Sequence, residues 1–97
     1  MKFIYPAVFT PFADEEGFTV EVPDLPGCIT EGKDLAEAFE MGIDAAAGWI
    51  LGEIEAGSDF PAASKSIDDI PAGSFVKPLI LDIDISLEKS RPNDKTE

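Results

Sequence analysis

Carboxylates are the residues of this chain with the clearest capacity for chemistry: 20 Asp and Glu stand against 7 Lys and Arg, with no histidine at all. Asp82 and Asp84 alternate along one face of a strand-like run, and Asp14 and Asp24 are candidates to approach them. Converging carboxylates can hold two metal ions ~3.5–4 Å apart for phosphodiester chemistry. A period-two pair on a strand is also what a solvated strand face looks like, and nothing in the spacing makes the four converge. Cys28 is the single thiol. Without histidine it cannot build a zinc site of the usual kind, and no neighbour in sequence would lower its pKa, so it reads as a small buried residue rather than a redox switch. No catalytic, metal or cofactor site is assigned.

The second capacity of so many carboxylates is long-range attraction. A net charge of −13 repels nucleic acid phosphate, which argues against direct RNA or DNA binding, and selects a basic partner. Two places present acid where a partner could meet it. Asp14-Glu15-Glu16 forms the polar tip of a hairpin and is a steering element for such a partner. Asp24 lies within Pro23-Asp24-Leu25-Pro26-Gly27-Cys28, where an aspartate either caps local N–H groups or makes a closer partner contact.

The elements that position these residues follow from the pattern. Two prolines in four residues remove two donors and fix two φ angles, so the chain turns a rigid corner at Pro23–Gly27. Before it, Phe3, Tyr5, Ala7 and Phe9 alternate with Ile4 and Val8 in a strand over 2–12 expected to be covered on both sides for part of its length. Pro6 and Pro11 should face an unpaired edge or a bulge. Phe18, Val20 and Val22 form the inward side of the returning strand, and Cys28–Glu31 makes a third. Asp34 is a helix N-cap with Glu37 three residues on, placed to reach back to the cap's own N–H. From Leu35 to about Ala56, Leu35, Phe39, Ile43, Ala46, Ile50 and Ile54, with Ala38, Gly42 and Trp49, make one apolar stripe. Gly57 is its C-cap. Residues 58–74 read as a loop with Phe60, Ile67 and Ile70 as anchors. Phe75–Leu87 is a last alternating strand, with Leu79, Leu81 and Ile83 on one side and Ile80 and Asp82 on the other. The fold class is therefore α+β, a three-stranded antiparallel sheet, one long helix and a further strand, in the order β-β-β-α-β.

At 97 residues, 44% hydrophobic, this is one domain, 1–87, followed by a flexible polar tail over 88–97. No apolar run approaches the ~20 residues of a membrane span, and a lone cysteine leaves a reducing compartment, so a cytoplasmic location is expected. Edge strands of a small sheet invite pairing with a second copy, which makes a homodimer the expected assembly, with Pro6 and Pro11 opposing it on the first strand.

The run Pro23-Asp24-Leu25-Pro26-Gly27-Cys28, then Thr30, Gly32 and Asp34-Leu35-Ala36-Glu37-Ala38, resembles the signature of the HicB antitoxin family. Tyr5-Pro6-Ala7-Val8-Phe9 and Gly17-Phe18-Thr19-Val20 resemble it too, so the likeness runs over roughly residues 3–87. It implies a partial ribonuclease H fold, and a role in binding and inhibiting HicA, a small basic ribonuclease that cleaves messenger RNA. Many members continue into a ribbon-helix-helix or helix-turn-helix module. This sequence has only ten residues after Leu87, all polar, so operator binding by this chain alone is not expected. Three functions follow in order: a toxin-neutralising protein, an orphan regulatory or scaffolding domain of the same fold, and a degenerate hydrolase, which the missing histidine and scattered carboxylates disfavour.

Overall fold

The computed structural model describes residues 1–83. Four strands form one antiparallel sheet in the order β3-β2-β1-β4: β1 (Lys2–Pro11), β2 (Phe18–Glu21), β3 (Ile29–Gly32) and β4 (Phe75–Asp82), with helix α1 (Leu35–Ala56) between β3 and β4. The α+β class and the β-β-β-α-β order are those expected from the pattern. The final strand stops at Asp82, after which Ile83 exchanges bonds with Met1: the Ile83 N–H donates to the Met1 carbonyl at 2.9 Å and the Met1 ammonium to the Ile83 carbonyl at 2.8 Å. The remainder of the expected strand, Asp84 with it, and the expected tail over 88–97 lie outside the described residues.

β1 is an interior strand, and its prolines fit because of ladder parity. The Met1–Ile83 exchange turns odd residues of β1 toward β4, and the Phe12 N–H to Gly17 carbonyl bond (2.9 Å) turns even ones toward β2. Pairing with β2 begins at Val8 and pairing with β4 ends at Phe9. Pro6 thus meets an open flank on the β2 side and Pro11 one on the β4 side, as expected of residues that cannot donate. Pro78 lies directly opposite Pro6. By the same parity its donorless nitrogen faces the outer edge of β4.

One face of the sheet carries the core. Tyr5, Ala7 and Phe9 of β1, Val20 of β2, and Leu79 and Leu81 of β4 are buried there with Ala38, Ala46 and Ile50 of α1. Phe9 and Phe39 bring their ring centroids to 4.7 Å. The helix lies close because its contact line is small. A Cβ added at Gly42 would sit 3.2 Å from Val20 and 3.3 Å from Leu79, and one at Gly32 would collide with the backbone of Ala38.

That closeness corrects the expected stripe. The buried residues of α1 are Ala38, Gly42, Ala46 and Ile50, one every four, while Leu35 and Ile43 stay exposed. A helix seated on small residues lets only a narrow line touch the sheet, and its larger shoulder residues hang beyond it. Asp34 caps the helix as expected, its Oδ1 accepting from the Glu37 N–H at 2.8 Å. Glu37 reaches one residue further back than the simple capping box, accepting from the Lys33 N–H at 2.6 Å. Gly57 closes the other end in the left-handed conformation.

Candidate functional site

The corner between β2 and β3 consists of two turns in succession. The Leu25 N–H donates to the Val22 carbonyl and the Cys28 N–H to the Leu25 carbonyl, both at 2.9 Å, and the Val22 N–H closes the base on the Cys28 carbonyl at 3.0 Å. Pro23 and Pro26 occupy the second position of each turn, where φ near −65° is wanted, and Gly27 takes φ +83° at the third position of its turn. Leu25 is fully buried between Val22 and Cys28, which are also in the core. Burial pushes the Cys28 thiol up from its ordinary pKa. The two turns make a closed corner plugged into the core.

Three contacts tie that corner down. The Trp49 indole N–H donates to the Pro26 carbonyl at 3.0 Å, so Trp49, half-buried rather than central to the core, joins helix to corner. The Asp24 carboxylate accepts from both the N–H and the hydroxyl of Ser64. Beside it, the Tyr5 hydroxyl donates to the Pro61 carbonyl at 2.6 Å. Burial, and secondarily the Asp24 charge, raise the Tyr5 pKa. Asp24 thus neither caps its own turn nor stands free. Its partner lies 40 residues away in sequence, which is why local pattern did not show it.

Asp14, Glu15 and Glu16 are all exposed at the β1–β2 tip. Glu15 and Glu16 border an open groove of about 370 Å³ that Phe18, Lys33 and Leu35 also line. The tip and the corner sit at opposite ends of β2, five residue steps or ~16 Å apart. Asp14, Glu15 and Glu16 at the tip and Asp24 at the corner therefore form two separate places. Asp82 is further still: it pairs with Lys2, at the other end of β1 from the tip, roughly 30 Å away at ~3.3 Å per residue. Among the described residues no three His, Cys, Asp or Glu side chains converge on a metal position, and no helix is long and apolar enough to cross a membrane.

The surface the sequence did not single out is the helix-free face of the sheet. Expected to be partly covered on both sides, β1 is covered on one. Among the described residues no helix or strand overlies Ile4, Pro6 and Val8 or their β4 partners Ile80, Pro78 and Val76. Ile4 is 54% and Ile80 55% exposed. Val8 on the same face is 6% exposed and lies outside the core cluster. The signal was Ile80, an isoleucine on the polar side of an otherwise alternating strand.

A family model described as "HicB_like antitoxin of bacterial toxin-antitoxin system" matches residues 5–95. Among solved structures, a chain of a HicA3 and HicB3 toxin-antitoxin complex superposes with a TM-score of 0.63 at 27% identity, covering 84% of this chain and 99% of that one. A chain of a toxin-antitoxin complex from Streptococcus pneumoniae shares the fold with a TM-score of 0.71 at 22% identity, covering 84% of this chain and 70% of that one. The N-terminal domain of the Burkholderia pseudomallei antitoxin HicB shares it with a TM-score of 0.63 at 23% identity, over 84% and 99%. No curated protein matches the sequence. With the family match running from the first strand through the corner, the helix and β4, the chain belongs to the HicB-like antitoxins of bacterial toxin-antitoxin systems.

Proposed function

We propose that the chain binds and neutralises a small basic HicA-type ribonuclease by covering the cationic surface that would hold messenger RNA, with no catalysis of its own. The domain over 1–87 carries that activity in this reading, acting in the cytoplasm. The observation that carries it is the charge state of a rigid surface. Against 20 acidic residues, the described residues contain one ion pair, the Met1 ammonium 3.9 Å from Asp82. Among the described residues, every acidic side chain but Asp82 thus stands without an ion-pair partner, which favours a basic partner and penalises a polyanion. The 27% identical neighbour, found in a HicA3 and HicB3 complex, supports the same partner class.

Occlusion needs a stable complex rather than a reaction. An interface of the usual ~1,200–2,000 Å² supplies residence time through its apolar centre, while charge sets how quickly the partners meet. The test is co-expression of the chain with a basic HicA-type protein. Growth should be restored and the two should co-purify, and RNA cleavage by the toxin should fall in proportion to added chain. A toxin that cleaves RNA equally well with the chain in excess would overturn the reading.

A further inference from the structure

We infer that the partner seats on the helix-free face of the sheet, with Ile4 and Ile80 at the centre of the contact; this rests on the reading of the chain as a HicA-binding antitoxin. The register lays out that face rung by rung. Lys2 stands opposite Asp82, then Ile4 opposite Ile80, Pro6 opposite Pro78, and Val8 opposite Val76. Glu21 continues the Val8 rung on β2 and Ile29 continues it on β3. Ile29 is 62% exposed. Three consecutive rungs between β1 and β4 thus carry no charge, and three isoleucines on one face are more than half exposed. Scattered single apolar residues need no explanation, but a contiguous group does.

The charges around that centre choose the occupant. Among the described residues, the cations of the face, Lys2 and the Met1 ammonium, both stand by Asp82 at one end. Glu21 and Glu31 occupy the β2–β3 side and have no ion pair among the described residues. A second copy would set Glu21 and Glu31 against their own kind, between molecules of net charge −13 each, whereas a protein with an apolar patch bordered by Lys and Arg meets both features. Size points the same way. Eight paired residues on each of β1 and β4 and four on each of β2 and β3, at ~4.8 Å by ~3.3 Å per residue, give a face on the order of 400 Å², short of the roughly 800 Å² per partner of a standard interface. The occupant must therefore continue past the face onto its margin. The Asp14–Glu16 tip stands at the Thr10–Thr19 end of the same strands, where it extends the footprint.

The test is a titration of the full chain, labelled at isoleucine δ1 methyls, with an unlabelled basic HicA-type protein that it neutralises. The methyls of Ile4, Ile29 and Ile80 should shift or broaden while those of Ile43 and Ile54 on the helix stay in place. The double variant Ile4→Thr, Ile80→Thr, which keeps β-branching, should dissociate about tenfold faster with its association rate nearly unchanged. If the variant unfolds at a lower temperature than the native chain, the methyl footprint of the native chain decides alone. Binding that moves the helix methyls and spares the sheet face overturns the inference and leaves the antitoxin reading standing. Absence of any binding removes both. Concentration-dependent shifts of Ile4 and Ile80 in the chain alone overturn it in favour of a second copy.

Discussion

The Asp24 carboxylate receives the Ser64 N–H at 2.8 Å on one oxygen and the Ser64 hydroxyl at 2.6 Å on the other, so the corner before β3 and the loop before β4 are one unit. Hydrogen bonds to a charged acceptor contribute about 1.5–3 kcal/mol, and exposure to water lowers that. A double-mutant cycle of Asp24→Ala and Ser64→Ala in urea should give a coupling of about 1 kcal/mol. Strict additivity of the two variants would show that the pair does not stabilise the fold.

Tyr5 is the only tyrosine, so its ionisation can be followed by absorbance near 295 nm without interference. Its pKa is raised above the ordinary 10.0 by burial first and Asp24 second. The sign follows directly: the neutral phenol's contribution to stability is complete below pH 10 and is lost as pH rises through the folded-state value. Native protein should titrate above the unfolded chain, and Asp24→Asn should lower the native midpoint. A native midpoint at or below that of the urea-unfolded chain would contradict the packing described for Tyr5.

Gly48 and Gly52 lie within α1 with nothing within 4 Å of the position a Cβ would take. Alanine at either should stabilise the protein by about 0.5–1 kcal/mol, the usual helix-interior difference. Gly42→Ala should go the other way, because its Cβ would press on Val20 and Leu79 at 3.2–3.3 Å. Thermal unfolding of the three single variants checks both signs.

Neutralising the hairpin tip by Asp14→Asn, Glu15→Gln and Glu16→Gln should slow association with the basic partner and flatten its salt dependence. Dissociation should change little, since rim charges act on encounter. Stopped-flow association measured from low to high salt reads this, and an unaltered salt slope removes the tip from the mechanism.

Much of the fold was legible because it is written in local periods. Asp34, Glu37 and Gly57 bracket the helix, and alternation through Phe18–Val22 and Leu79–Ile83 places the inward faces. The corner was legible from its prolines and glycine. Contacts between distant segments were not, because no period relates Asp24 to Ser64, Trp49 to Pro26 or Tyr5 to Pro61. The helix stripe was drawn too wide for a related reason: spacing cannot say that Gly42 lets the backbone approach until Ile43 falls outside the contact. The exposed sheet face escaped notice because Ile4 and Ile80 are apolar, and burial is the usual expectation for such residues.

The Pro6–Pro78 rung has a consequence for how this protein can change over time. With no amide hydrogen at the middle of the outer strand, a visiting strand finds an interrupted row of donors there and gains little from main-chain bonding. Recognition is left to side chains. With the proposed partner seated on that face, partner choice can drift by substituting Ile4, Ile29 or Ile80 while the ladder beneath stays intact, so that one scaffold would follow a changing partner without being refolded around it.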